Sequence, residues 1–356
     1  MRTHRILVLG ASYGSLLASK LLFAGHDVTL VCLPAEADLI NREGTRVRMP
    51  VRGRSEPVLL DSREAPGLLS ANVPDAVDPA GYDLVALAMQ EPQYRADAVR
   101  DLLARVAAAH VPCMSIMNMP PLPYLARIPG IDADACRDCY ADPTVWDVLD
   151  PALVTMCSPD PQAVRPPDEP ENALLVRLPT NFKAAPFAAD EHTAILRRLE
   201  ADIDGVRLYA EDGAAIELPV KLRVRDSLFV PLAKWSMLLA GNYRCITPDG
   251  SRPIREAVLA DPDAARAVYD WVRTLCVDLG AAEEDLVPFV KYAAAAEGLA
   301  NPSSVARAIF AGAPHVERVD RVVQTIAAGR GMRSAAVDDI VALVDSRLEA
   351  NARVAA

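Results

Sequence analysis

The sequence predicts an α/β protein in two parts, a doubly wound parallel sheet followed by an all-helical domain. Three features carry that expectation. Short apolar runs alternate with amphipathic stretches through the first part of the chain. A glycine turn joins the first apolar run to the first amphipathic stretch. After about Val220 the apolar spacing changes from strand-like alternation to a period of about 3.6, and it stays there.

The elements follow in order. Arg5–Leu9 is an apolar run bounded by Gly10 and reads as a buried strand. Ser15–Phe23 places Leu16, Leu17, Leu21 and Leu22 on one helical face, with Gly25 as the C-terminal stop. Val28–Val31 is the next strand, so the first part opens with a βαβ unit whose crossover should be right-handed. Leu84–Ala88 and Pro112–Ile116 read as further strands, with a helix over Gln93–Ala108 between them. From Met119 to about Pro179 prolines are dense, which predicts mostly loop. Ala173–Leu178 and Val206–Tyr209 are strand candidates, and Asp190–Asp202 between them is a helix. Helical periodicity then covers Val220–Ala240, Ile254–Leu279, Glu283–Glu297, Ser303–Ala311, Val316–Ala327 and Val337–Ala350, with no further strand of weight. The expected domains are 1–215 and 216–356.

Charge and composition narrow the function classes. The net charge of −11 disfavours binding to a nucleic-acid backbone. The apolar run after the basic start is too short for a signal core, and no segment has the length of a membrane span. Seven scattered cysteines suggest a reducing, cytoplasmic setting without a disulfide scaffold. Cys136 and Cys139 have metal-like spacing, but the second pair that a zinc ribbon needs is missing, so buried thiols are the expected reading and no metal is expected.

The glycine turn reads Gly10-Ala-Ser12-Tyr13-Gly14-Ser15. Such a loop lets the chain turn sharply and brings phosphate to the amides at a helix N-terminus. Its place between first strand and first helix makes a Rossmann-type dinucleotide site the leading interpretation, although Ser12 stands where the fingerprint has its central glycine. The second strand ends in Cys32-Leu33-Pro34, without the acid that selects NAD or the arginine that selects NADP. Arg42, Arg46 and Arg48 lie further on and read as a solvated charged face. No strong preference between NADPH and NADH is therefore expected.

These stretches resemble the ketopantoate reductase family (2-dehydropantoate 2-reductases). The first strand, loop and helix through Ala24-Gly-His-Asp-Val28 are similar to that family's opening. Pro231-Leu-Ala-Lys234-Trp resembles the segment carrying its catalytic lysine, and Asn301-Pro-Ser303-Ser304 with Ala311-Gly312 resembles its paired-serine motif. The resemblance implies a second domain like the C-terminal domain of 6-phosphogluconate dehydrogenase, an NADP or NAD cofactor, a 2-oxo acid substrate and a homodimer. It implies Lys234 as general acid and Glu317 as a second catalytic residue, the latter with one residue inserted after Pro314. Gly10, Ser12, Tyr13, Gly14, Ser15, Gln90 and Asn118 would contact the cofactor, and Asn118, Asn242, Ser303 or Ser304 the substrate. The sequence departs from the family where the loop is one residue shorter, where Gln90 replaces a lysine, and where Met119 and Pro120 replace small residues.

The residues taken alone give the same candidates a plainer alternative. Lys234 lies among Phe229, Leu232, Trp235, Met237, Leu238 and Leu239, where it is either a snorkelling lysine or a poorly solvated proton donor in a cleft. Arg244 is either a cation at a helix C-terminus or a clamp for a carboxylate. Ser303 follows Pro302 and suits a helix cap as well as a ligand contact. Three functions fit: a reductase of a 2-oxo acid; a relative using Lys234 for lyase, isomerase or hydrolase chemistry; and a non-catalytic metabolite-binding protein.

Overall fold

The computed structural model describes residues 3–210 and 212–355. The basic start at Met1 and Arg2 and the two chain ends named in the expected domains lie outside the described residues. The chain divides into two compact units. The first comprises Met1–Met89, Tyr94–Met117 and Val148–Asp226, and the second Gln90–Gln93, Asn118–Asp147 and Ser227–Ala356. This differs from the expected division into 1–215 and 216–356, because two short stretches of the α/β part group with the helices.

The first unit holds β1 (Arg5–Leu9), β2 (Asp27–Val31), β3 (Arg46–Met49), β4 (Val58–Asp61), β5 (Leu69–Asn72), β6 (Leu84–Leu87), β7 (Cys113–Ser115), β8 (Val154–Ser158), β9 (Gln162–Val164), β10 (Ala173–Leu178), β11 (Phe182–Ala184), β12 (Arg207–Tyr209), β13 (Ala215–Glu217) and β14 (Leu222–Val224). Its helices are α1 (Gly14–Phe23), α2 (Pro34–Glu43) and α3 (Asp97–Ala108). After α4 (Leu122–Leu125), which belongs to the second unit, α5 (Asp190–Gly205) completes the set.

Eight strands form one sheet in the order β14-β11-β8-β7-β6-β1-β2-β5. The six from β8 to β5 are parallel. Taken by their sequence rank within those six, the order is 3-2-1-4-5-6, the doubly wound order with its switch point between β1 and β6. The sheet was expected to be parallel, and it is so over these six strands but not throughout. After β8 the chain detours through β9 and β10 and returns into β11, which therefore runs antiparallel to β8, with β14 parallel to β11 beyond it. The detour builds a second sheet, β4-β3-β10-β9, that the sequence reading did not separate from the first. Arg46 and Arg48 sit on β3 in it, paired with Glu43 and Glu169.

Helix α1 is not the half-exposed helix that its pattern suggests. Every residue from Gly14 to Leu22 is buried, since α1 packs on β2, β3 and α5. Ile6 to Leu9 of β1 are fully buried beneath it.

In the second unit the expected helix over Val220–Ala240 is corrected. Leu222–Val224 is the edge strand β14, whose backbone pairs with β11, and helical turns begin only at Pro231. They run as a 3-10 turn, then α6 (Lys234–Met237), a π-helical turn over Leu238–Asn242 and a 3-10 turn at Tyr243–Cys245. A two-residue hairpin, β15 (Ile246–Thr247) and β16 (Gly250–Ser251), follows, so the unit is not wholly helical. The expected helix Ile254–Leu279 breaks into α7 (Ile254–Leu259) and α8 (Pro262–Asp278), because the Asp261 carboxylate accepts the Ala264 amide at 3.0 Å and caps α8. Helices α9 (Phe289–Ala296), α10 (Ser304–Phe310), α11 (Val319–Gly329) and α12 (Ala335–Ala355) complete it. The proline-dense stretch 118–147 is more than loop: short turns bury Tyr124 and Trp146 almost completely. No described helix is long and apolar enough to cross a membrane.

Candidate active site

The predicted residues fall into two groups, one in each unit. In the first unit the glycine turn leaves β1 at the switch point. Gly10 has φ +102°, and a Cβ there would lie 2.6 Å from Met89 Cγ and 3.0 Å from the Ala88 carbonyl oxygen. A Cβ at Gly14 would lie 2.7 Å from Val8 Cγ1. The two glycines therefore fill two of the three fingerprint roles, the sharp turn and the close helix–strand approach. Ser12, in the third role, is exposed, and the Ser15 hydroxyl donates to its carbonyl at 2.8 Å. The Tyr13 ring turns toward the core, edge-on to Phe182 with centroids 6.1 Å apart, and its hydroxyl donates to the Pro161 carbonyl at 2.6 Å. The Leu16 amide in the first turn of α1 pairs with the Tyr13 carbonyl at 3.1 Å, and the amides before it have no carbonyl to pair with inside the helix, as at any helix start. The loop thus offers a diphosphate an exposed turn and a helix N-terminus, and it fits a dinucleotide.

In the second unit a small pocket is lined by Gln90, Asn118, Leu238, Asn242, Tyr243, Ser304, Val305, Val316 and Glu317. Its enclosed space is about 20 Å³, room for roughly one water-sized polar group. Five of the residues predicted from sequence meet there: Gln90, Asn118, Asn242, Ser304 and Glu317. They come from five separate stretches of chain. Gln90 and Asn118 follow β6 and β7, Asn242 ends the π turn, Ser304 opens α10, and Glu317 precedes α11.

Glu317 is the best-held group among them. Its carboxylate accepts from Asn118 Nδ2 at 3.1 Å and from the Met119 amide at 3.5 Å, and the Glu91 amide also donates to it. Burial lifts the Glu317 carboxyl above its ordinary range, against those bonds and against the positive charge of Lys234. Lys234 itself is half-buried at the start of α6. The Tyr243 hydroxyl donates to the Glu317 carbonyl at 2.5 Å and accepts the Val319 amide at 2.9 Å, which fixes the backbone on both sides of Arg318. Asn118 Oδ1 is buried and has no hydrogen-bond partner among the described residues, so one acceptor remains for a ligand.

Lys234, Ser303 and Arg244 do not line this pocket. The Ser303 hydroxyl donates to the Asn242 carbonyl at 2.7 Å and accepts the Ala306 amide at 3.2 Å, so it caps α10 and holds Asn242 in place. Of the two serines, Ser304 is the one on the pocket wall. The Arg244 guanidinium donates to the Ala257 carbonyl at 2.9 Å, with the Ala240 carbonyl at 3.5 Å, and so ties the π turn to α7.

Three features escaped the sequence reading. The π turn between Lys234 and Asn242 changes their relative rotation, and no residue type announces it; such turns recur at functional sites. Tyr243 was read only as part of a helix end. Glu91 is 2 % exposed, and its carboxyl accepts the Ala141 amide at 3.2 and 3.3 Å. Burial pushes it up to about 7, with the neighbouring Glu317 acting in the same direction. Cys136 and Cys139 lie buried in a 3-10 turn, the former pushed up to about 12 by burial, and no metal-binding cluster occurs among the described residues.

No family model and no curated protein matches the chain. Solved structures do. A 2-dehydropantoate 2-reductase from Methylococcus capsulatus matches with TM-score 0.64 and 14% identity over 98% of this chain and 97% of its own. A ketopantoate reductase from Ralstonia eutropha JMP134 matches with TM-score 0.61 and 18% identity over 98% and 99%. D-mandelate dehydrogenase, solved with NADH and anilino(oxo)acetate, matches with TM-score 0.64 and 13% identity over 98% and 99%. With its doubly wound sheet and helical second unit, the chain has the fold of the ketopantoate reductases and of D-mandelate dehydrogenase.

Proposed function

We propose that this protein is an NAD(P)H-dependent reductase of a small 2-oxo acid, of the ketopantoate reductase kind. The observation that carries the reading is the meeting of Gln90, Asn118, Asn242, Ser304 and Glu317 in one pocket, with the Lys234 charge acting on Glu317. The fold neighbours support it, since they are described as ketopantoate reductases and as a D-mandelate dehydrogenase held with a 2-oxo acid derivative.

The bound dihydronicotinamide would supply a hydride. The protein's residues do the rest. Asn242 and Ser304, both on the pocket wall, hold the substrate carboxylate by neutral hydrogen bonds. Lys234 donates its proton to the ketone oxygen as negative charge builds there, so the C=O becomes a C–H and an O–H and the product is a 2-hydroxy acid. Glu317 is held by Asn118 and two amides and feels the Lys234 charge, which partly compensates its own. Gly10 to Ser15 in the first unit would take the diphosphate. The expected homodimer belongs to this proposal and is checked by light scattering.

A non-redox reading, in which Lys234 stabilises an enolate of the same acid, is favoured by one observation: the exposed Ser12 in place of the fingerprint's central glycine. One experiment separates the two. Purified protein is mixed with NADPH or NADH and a panel of 2-oxo acids, and loss of reduced nicotinamide is followed against formation of the hydroxy acid. Stoichiometric conversion supports the reductase. Consumption of an oxo acid without nucleotide oxidation overturns it in favour of the non-redox reading.

A further inference from the structure

The end of β2 decides cofactor choice in a doubly wound fold, because the adenosine ribose lies beside it. Here Cys32, Leu33 and Pro34 carry no charge, and Leu33 is 74% exposed. The first acid after them, Glu36, sits in the first turn of α2 and is buried. Its carboxylate is not alone. The Arg165 guanidinium, 129 positions away in sequence, hydrogen-bonds to Glu36 Oε1.

The chain's route explains the meeting. After β8 it passes Pro161, whose carbonyl accepts the Tyr13 hydroxyl beside the glycine turn, and then forms β9. Arg165 follows β9 directly and arrives at the start of α2. One short segment thus links the ends of β1 and β2, the two places between which the adenosine ribose would lie. The Arg165 side chain is 29% exposed, and only one of its nitrogens binds Glu36. It also lies near enough to Cys32 to oppose the rise in that thiol's pKa, which burial pushes up to about 11. Burial lowers the Arg165 pKa, and the charge of Glu171 opposes that.

Resting on the nicotinamide-dinucleotide reading above, we infer that Arg165 anchors the 2′-phosphate of NADPH at the end of β2. A lone Glu36 would bind the ribose diol of NADH and repel that phosphate. Paired with Arg165, it is neutralised and becomes a tether that aims the remaining N–H donors outward, where a planar fork suits a phosphate. Exposed Leu33 offers the adenine an apolar surface. The strand that should carry the discriminating residue does not; a distant segment does.

The test is calorimetric titration of the full chain with NADPH, NADH, adenosine 2′,5′-bisphosphate and AMP. Wild type should bind NADPH at least about tenfold tighter than NADH, and the bisphosphate tighter than AMP by a similar factor. Arg165→Ala should abolish both preferences while leaving NADH affinity within about twofold. Because that change strands a buried carboxylate, Arg165→Ala with Glu36→Gln is measured beside it, and NADH binding reports an intact site in each. Equal affinity for NADPH and NADH in wild type, or a preference that survives both variants, overturns the inference and leaves the reductase reading standing. Binding of neither dinucleotide overturns both.

Discussion

Glu91 provides a perturbation whose size follows from its surroundings. Its carboxyl is held near 7 rather than 4.5: burial raises it, the Ala141 amide opposes, Glu317 raises it further, and the Trp146 indole and Asp142 amide oppose. The folded state therefore binds more protons than the unfolded state between about pH 4.5 and 7, and stability must fall as pH rises through that window. The full displacement corresponds to about 3.4 kcal/mol above pH 7, of which about 2.5 kcal/mol is lost between pH 5 and pH 8. Glu91→Gln keeps an acceptor for Ala141 and removes the titration. Trp146, Trp235 and Trp271 all belong to the second unit, so tryptophan fluorescence follows the unit that contains Glu91. Urea unfolding of wild type and Glu91→Gln at both pH values is the assay, and other titrating groups cancel in the difference. Wild type should lose about 2–3 kcal/mol more than the variant. Parallel losses, within about 0.5 kcal/mol, would refute the assignment of a protonated carboxyl beside Glu317.

Two further outcomes are expected. Lys20 on α1 is 1% exposed and donates to the Pro219 carbonyl at 2.8 Å; burial and then Lys221 push its amine down to about 7, against Asp204, so the folded state binds fewer protons between about pH 7 and 10.5 and stability rises with pH there. Lys20→Met should raise stability at pH 7 by about 3 kcal/mol, allowing about 1 kcal/mol for the lost hydrogen bond, read by hydrogen exchange in α1, and the gain should shrink by pH 9. The two serines should separate: Ser303→Ala costs about 1 kcal/mol of stability as a lost cap, whereas Ser304→Ala raises KM for the oxo acid with stability unchanged, as measured by urea unfolding and steady-state kinetics.

How much of this could be read from the chain depends on how local the signal is. Strand β1, the Gly10–Gly14 turn and α1 are encoded within 20 residues of one another, and their positions follow from apolar spacing and two glycines that tolerate no Cβ. The second sheet was not legible, because β3 and β10 are far apart in sequence and each is a short run that could pair with several partners. The same reason hid Arg165, whose neighbours at Cys32 and Glu36 are set by the route of a proline-rich segment. Among the candidate site residues, Asn118, Asn242 and Glu317 were visible through resemblance. The assignment of roles to Ser303 and Ser304 was not, since a one-residue shift at a helix start decides which hydroxyl caps and which faces the pocket. The burial of Lys20 on α1 was masked by a pattern that reads as amphipathic until α5 and the Pro219–Lys221 segment close over it.

The central claim is that Lys234 supplies the proton in a nicotinamide-dependent reduction, and the most direct measurement is turnover by Lys234→Ala. With the 2-oxo acid that wild type reduces fastest, kcat should fall at least about a hundredfold, while the Kd for the reduced dinucleotide and the circular dichroism spectrum stay as in wild type. Near-normal kcat in Lys234→Ala, with the variant folded and the dinucleotide bound, would contradict the account.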